Sequence, residues 1–362
     1  MKKLRILFTN RPNVLTQPGG DTAVMVKVAE GLRALGVKAD IDPEFKRSLK
    51  GYDLVHLHNF ATPDTTRAQA QACVEAGVPY VVTTMYEDAP SFWAQMMAQA
   101  QGYYAYMQAG QPQADFEYFM QPLRDCQPTV MLDNSWTARY AAALIASGSA
   151  EQKTLQRDYH DARLVATYPL GCEIGETTVS GDLFTRHTGL KDFILCVGRV
   201  ETRKNQLTLL KALEDSDLPL VIATGGFTYQ PQYAQACQLF KRRGPTHFIQ
   251  RMPDNILASA YAAARVHVLP SWYELPGIVS MEAARRGCAI VVSDRGTPRD
   301  YFGADAFYAE PDDPTAIGEA VQAAWDAAVP ASPGLSRRIE SCTWPNAAKT
   351  VLDIYGQALD GI

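Results

Sequence analysis

The chain lacks the features that would place it in several broad classes. Its seven cysteines are scattered over 362 residues, an odd number with no C-x-x-C pair. That pattern implies neither a zinc site nor a disulfide framework, and a reducing cytoplasm is its natural setting. No apolar run approaches the roughly 18 residues of a membrane helix, so any membrane contact is expected to be peripheral at most. The opening Met1-Lys-Lys-Leu-Arg-Ile-Leu-Phe8 begins with charge, but its apolar run is too short for a signal peptide and reads as a first strand. Charge of one sign is also scarce. The net value is −5, from 34 Lys and Arg against 39 Asp and Glu. This argues against nucleic acid as a partner, because a nucleic-acid face should be basic. The fingerprint G-x-G-x-x-G is absent, which disfavours a nicotinamide oxidoreductase.

The remaining composition, 47% hydrophobic and 20% charged, is that of an ordinary globular chain long enough for two domains. Short apolar runs alternate with helical patterns, as in a parallel α/β sheet. Leu4–Phe8 is a strand, followed by Pro18-Gly19-Gly20-Asp21 and a helix with Val24, Val28 and Leu32 on one face. A glycine pair between strand and helix either makes a tight turn or lets phosphate approach backbone amides. Tyr52–His58 and Val78–Thr84 are further strands. His56 and His58 share one face of theirs and have no partners that would make them metal ligands. Phe92–Tyr118 is rich in Met, Tyr, Trp, Phe and Gln with few charges, which suits core packing or an aromatic acceptor groove. Tyr168-Pro-Leu-Gly171 offers a hinge before a second set of strands at 192–197, 218–223 and 248–250.

Two stretches of the second half carry chemistry. Gly198-Arg199-Val-Glu-Thr-Arg203-Lys204-Asn205 joins a strand to a helix. There a guanidinium and an ammonium suit a diphosphate, unless the loop is merely solvated. Ser271-Trp-Tyr-Glu274-Leu-Pro276-Gly277 follows the strand run Val266–Pro270 and leads into a helical pattern carrying Glu282, before the strand Cys288–Val292. Pro276 fits a first helical turn, and Gly277 permits close approach to backbone. Free N–H groups at Gly277, Ile278 and Val279 would then form an anion site. Eight residues of helix span roughly 12 Å, about the reach from ribose to hexose in a nucleotide sugar. Spacing alone leaves open a second reading, two solvated glutamates around an ordinary helix start.

The pattern Glu-x7-Glu after a Pro-Ser strand end, together with Gly198-Arg199 and Lys204, resembles the signature of retaining GT-B glycosyltransferases of the group 1 class, glycosyltransferase family 4. The resemblance extends over most of the chain. It implies two doubly wound Rossmann-like domains facing across a cleft. Residues 1–170 would form the acceptor-side domain, joined by a C-terminal helix (346–362) that crosses back, and 171–345 would bind the nucleotide sugar. It further implies transfer of a sugar from a UDP- or GDP-sugar to a hydroxyl of a saccharide or lipid-linked saccharide, in polysaccharide or glycoconjugate biosynthesis. The anomeric configuration would be retained, with no metal and no other cofactor.

In this family pattern Arg199 and Lys204 neutralise the leaving diphosphate, with Gly19 and Gly20 close to it. Glu274 orients the sugar, Glu282 holds the ribose, and Arg251 and Met252 border the base. Asp40-Ile-Asp42 is a D-x-D remote from these motifs. The family often shows Asp-x-x-His-x-His where His56 and His58 stand, and a histidine on the donor sugar where this chain has Met85. The departure leaves room for a non-catalytic sugar-binding partner. A phosphorylase or epimerase on the same fold is a further alternative, separable by dependence on phosphate or by turnover without acceptor.

Overall fold

The architecture comes from a computed structural model, which describes residues 4–112, 114–120, 133–172, 179–327 and 333–361. In chain order the elements begin β1 (Arg5–Phe8), α1 (Gly20–Ala34), β2 (Lys38–Ile41), β3 (Leu54–His58), α2 (Pro63–Ala76), β4 (Tyr80–Thr83), α3 (Ala89–Gln108) and α4 (Phe116–Met120). Next are α5 (Ser135–Tyr140), β5 (Ala143–Ala146), α6 (Ser149–Asp158), β6 (Val165–Thr167), α7 (Asp182–Thr188) and β7 (Ile194–Val197). The second half continues with α8 (Gln206–Ala212), β8 (Leu220–Thr224), α9 (Pro231–Leu239), β9 (Thr246–Gln250), α10 (Asp254–Ala263), β10 (Val266–Leu269), α11 (Ile278–Arg285) and β11 (Ala289–Ser293). It closes with α12 (Pro298–Phe302), β12 (Phe307–Ala309), α13 (Pro314–Asp326), α14 (Pro333–Glu340) and α15 (Trp344–Asp360). The run Thr129-Val-Met-Leu132, which by resemblance to the family would be the strand before the helix at 134–137, lies outside the described residues.

The chain forms two compact units, one of Met1–Asp88, Met131–Glu173 and Ser341–Ile362, the other of Ala89–Val130 and Ile174–Glu340. In the first, parallel strands run in the order β2-β1-β3-β4-β5-β6. β3, β4 and β5 are buried at every residue, as expected where helices cover both faces of a parallel sheet. The C-terminal helix belongs to this unit. α15 packs on α1 so closely that a Cβ at Gly31 would stand 2.5 Å from the Cβ of Ala348.

The second sheet, also parallel, runs β12-β11-β10-β7-β8-β9. Its order reverses between β7 and β10, and in open α/β sheets ligands bind outside the carboxyl ends of the strands at that reversal. Chain order alone puts α3 and α4 with the first domain; contacts place them in the second unit. The reason is visible in α3, where Phe92 stacks on Trp272 and Tyr273 with centroids 6.4 and 5.9 Å away. Gln95 donates to Asp312 at 2.7 Å and Tyr106 to Glu214 at 3.0 Å. Phe92, Met96, Tyr103 and Tyr106 are thus core residues, while Trp93 and Met97 remain exposed.

Candidate active site

The carboxyl ends of β7 and β10 are joined locally by the backbone of one short turn. Beyond β7 the chain makes a 3-10 turn at Thr202–Lys204, ended by Asn205 with a left-handed φ of 63°. The Asn205 side-chain amide donates to the carbonyl of Pro270 at 3.0 Å and to that of Pro311 at 2.6 Å. The Trp272 amide donates to the Arg203 carbonyl at 2.9 Å. These bonds bring two stretches 70 residues apart into register, so that the Lys204 ammonium forms an ion pair with Glu274 Oε1. Arg203 approaches the same oxygen at 3.7 Å. Glu201 accepts from the Arg199 Nε at 3.1 Å and lies 3.6 Å from Arg203. The result is an alternating set of charges, Arg199, Glu201, Arg203, Glu274 and Lys204, within one loop cluster.

Glu274 is 5% exposed. Burial raises its carboxyl, but the charges of Lys204 and then Arg203 outweigh that and hold it below the ordinary carboxylate value. Its backbone is fixed on both sides, the amide donating to the Arg295 carbonyl at 3.3 Å and the carbonyl accepting from Thr297 at 2.9 Å. Between those two partners, Gly296 has a φ of 99°, and a Cβ there would collide with the carbonyl oxygen of Glu274. Gly296 is therefore part of the site's frame for steric reasons.

Gly277 takes a φ of 84° and caps α11, which starts at Ile278. Pro276 therefore precedes the helix rather than filling its first turn, because the left-handed glycine intervenes. Only the second half of the Glu274–Glu282 spacing is helical. Ile278 and Val279 open α11, where amides have no intrahelical acceptor, and Glu282 accepts from the Tyr261 hydroxyl at 3.1 Å. Arg251 follows β9 with a φ of 53°, its amide bonded to Thr224 at 2.8 Å, and its side chain lies against Gly226. Arg251 is exposed and Met252 half-buried.

Gly19 and Gly20 belong to the first unit. Gly19 caps α1, and its amide donates to Thr22 at 2.9 Å. A Cβ at Gly20 would meet nothing within 4 Å, so space does not demand glycine there. His56 and His58 are structural. Their rings stack at 4.4 Å, and His56 is held by Tyr355 at 2.6 Å and Thr83 at 2.7 Å. Burial keeps both in the neutral form, His58 pushed down to about 4. Met85 stands after β4 with a left-handed φ of 47°, a strained conformation for a residue with a Cβ.

Asp40 is tied to Tyr52 at 2.7 Å. A further D-x-D, Asp215-Ser-Asp217, ends with Asp217 paired to Arg243 at 2.7 Å. Among the described residues no group of three His, Cys, Asp or Glu side chains is arranged to hold a metal, and no helix is long and apolar enough to cross a membrane.

Glu201, Arg203, Asn205 and Gly296 are the participants that motif reading passes over. The first three lie inside the quoted Gly198–Asn205 run, where the alternation of acid and base was the available signal. Gly296 had none beyond its place in a turn between two apolar runs.

Two six-stranded parallel α/β units of this kind are the GT-B architecture. Over 99% of this chain and 100% of the other, the structure is similar to a sucrose-phosphate synthase from Thermosynechococcus elongatus, with a TM-score of 0.71 at 17% identity. It is also similar to Anabaena HepE in complex with UDP-glucose, with a TM-score of 0.65 at 15% identity over 99% and 98%. Within that fold, residues 185–328 match the family Glycosyl transferases group 1. A D-rhamnosyltransferase, WbpZ, of Pseudomonas aeruginosa is 31% identical over 139 residues, 37% of this chain and 36% of the relative. The matched stretch thus spans about a third of that relative's length.

Proposed function

We propose that the protein transfers a sugar from a nucleotide diphosphate sugar to an acceptor hydroxyl, with retention of configuration and without a metal. The observation that carries this reading is the convergence of Lys204 and Glu274 at the β7–β10 reversal, beside Arg199 and the opening amides of α11. HepE, bound to UDP-glucose in its structure, supports a nucleotide sugar as donor. In this reading Arg199 and Lys204 neutralise the diphosphate as it leaves, and fixed charges aimed at developing charge are usually the largest catalytic contribution. Gly277, Ile278 and Val279 supply amides to the phosphates. Arg251 and Met252 border the base, Glu282 holds the ribose and Glu274 the sugar hydroxyls. The bond from the anomeric carbon to phosphate breaks as the acceptor oxygen attacks on the same face, and the acceptor's proton passes to the leaving phosphate oxygen. The acceptor is a saccharide, free or lipid-linked, of a polysaccharide or glycoconjugate, and the setting is cytoplasmic.

Thermal shift against UDP, GDP and their sugars tests the donor. A true ligand at a hundredfold excess over its Kd stabilises by about 2.7 kcal/mol. Calorimetry and kinetics then separate the two glutamates. Glu282→Gln should weaken nucleotide binding, because the lost bond to a charged group is worth about 1.5–3 kcal/mol. Glu274→Gln should leave nucleotide binding intact and lower kcat. The reverse pattern would exchange their roles, and no effect from either would remove the reading. A second reading, a sugar-binding partner without catalysis, draws on Met85 in place of the family's histidine; hydrolysis of the donor by the purified chain would exclude it.

A further inference from the structure

Arg203 stands between the two cations assigned to phosphate, and nothing above gives it a task. Its guanidinium is bound on three sides: it donates to the Tyr273 carbonyl at 3.1 Å, lies 3.7 Å from Glu274 Oε1, and lies 3.6 Å from Glu201 Oε1. Its own carbonyl accepts from Trp272 at 2.9 Å. One residue thus ties the 202–204 turn to each of Trp272, Tyr273 and Glu274. Lys204 meets the same Glu274 oxygen from the next position in the chain. The two cations differ in freedom. Lysine's ammonium is a point charge on a flexible stem, whereas a planar guanidinium engaged with a carbonyl and two carboxylates is held in place.

We propose that Arg203 is a positioning residue for Glu274, keeping its carboxylate ionised and aimed while Lys204 turns from Glu274 to the donor's diphosphate. This rests on the donor reading above. A carboxylate as buried as Glu274 takes up a proton when left without a cation, and a protonated acid no longer presents two acceptor oxygens to sugar hydroxyls. Among the described residues, the titratable groups on the neighbouring strands carry no substitute charge. His267 on β10 is fully buried and pushed down to about 3 by burial, hence neutral. The Cys196 thiol on β7 is raised by burial to about 12. Once Lys204 has turned, Arg203 is, among the described residues, the cation left beside the carboxylate. Glu201, shared with Arg199 at 3.1 Å, holds the far end of the guanidinium.

The test follows the Glu274 carboxyl by 13C NMR in protein labelled at the glutamate side-chain carboxyl, assigned by its loss in Glu274→Gln. It is titrated with and without saturating UDP or GDP, in wild type, Arg203→Gln and Arg203→Lys. In wild type, nucleotide should leave the carboxyl below the ordinary range. In Arg203→Gln, nucleotide should raise its midpoint by about one to three units, the usual effect of one close opposite charge, and Arg203→Lys should restore part of the shift. By reciprocity, nucleotide should bind Arg203→Gln more weakly well above the midpoint, by about tenfold for each unit of that shift, and the loss should vanish below the free-state midpoint. Turnover of Arg203→Gln should fall about tenfold at pH 6 and recover as pH rises, with KM unchanged.

An unmoved midpoint in nucleotide-bound Arg203→Gln would refute the role. A loss of nucleotide affinity that is the same at low and high pH would instead put Arg203 on the phosphates. If neither UDP nor GDP binds the wild type, the donor reading fails and this role with it, whereas binding with an unmoved midpoint refutes the role of Arg203 alone.

Discussion

Lys204→Ala should destabilise the second unit in a way that depends on pH, quite apart from any loss of transfer. The substitution removes one charge-assisted bond from a carboxylate that is 5% exposed. Breaking a buried ion pair by removing one partner costs about 3–5 kcal/mol. Here Arg203 remains 3.7 Å away, so the loss should be nearer that of a single hydrogen bond to a charged group, about 1.5–3 kcal/mol. For a unit of this size that is a fall in Tm of about 3–12 °C. The pH dependence has a definite sign. In the wild type the Glu274 carboxyl lies below its ordinary value because Lys204 and Arg203 outweigh burial. A depressed carboxyl contributes stability above the unfolded-state value and loses it as pH falls through the folded-state value. Without Lys204 the carboxyl moves up, while Arg203 still keeps it ionised at neutral pH. The deficit should therefore be full near pH 7.5 and shrink as pH falls through the ordinary carboxylate range toward about 3.5. Melts at the two pH values, with Glu274→Gln and the double variant alongside, check it. The double variant should be more stable than the sum of the single losses predicts, because the two residues share one interaction. A deficit equal at both pH values, together with additive losses, would refute the pairing as the source of the effect.

Three further expectations accompany this one. Gly296→Ala should cut turnover by at least about tenfold, because its Cβ would meet the Glu274 backbone and a misplacement of about 1 Å at a reacting site costs up to 10²-fold; kinetics at saturating donor check it, and wild-type turnover would show that the loop can yield. The buried histidines should make the protein acid-sensitive. His58 and His267 sit at about 4 and 3, below the unfolded value of about 6.5, so the unfolded chain binds more protons and stability falls as pH drops below about 6.5; urea melts across pH 7.5 to 5 measure it, with His267→Leu expected to flatten the curve. Transfer should survive EDTA, and a complete loss rescued only by added magnesium or manganese would contradict a site in which two cations cover the diphosphate.

The fold was legible because parallel strands buried on both faces are short apolar runs, and such runs can be seen without knowing their partners. Ile194–Val197, Val266–Leu269 and Ala289–Ser293 all stand within a residue or two of their expected places. Where reading by period failed, a single backbone angle or a distant contact decided. Gly277 carries no mark in the sequence that its φ is 84°, yet that value ends the loop and leaves Pro276 outside α11. The Phe92–Tyr118 stretch is suited equally to a core and to a groove by composition. What settles Phe92 and Met96 is Trp272 and Tyr273, which lie far along the chain.

The site shows the same limit more sharply. Arg199, Lys204 and Glu274 can be singled out one at a time by residue type and position, but their pairing cannot. Lys204 as a phosphate ligand and Lys204 as the partner of Glu274 make the same demand on the sequence, a lysine at a strand–helix junction. The structure places it on Glu274, with Arg203 close behind. That arrangement has a consequence for binding. A diphosphate that draws Lys204 away must compete with a buried carboxylate for it. The affinity for nucleotide is then the difference between two ion pairs rather than the strength of one, since a ligand gains only what it adds over the contact it replaces. Glu274→Gln weakens that competitor without touching the phosphate. In this reading it should bind bare nucleotide at least as tightly as the wild type even as it loses turnover. A parallel loss of both would mean that Lys204 does not move, and that Glu274 itself stands at the nucleotide.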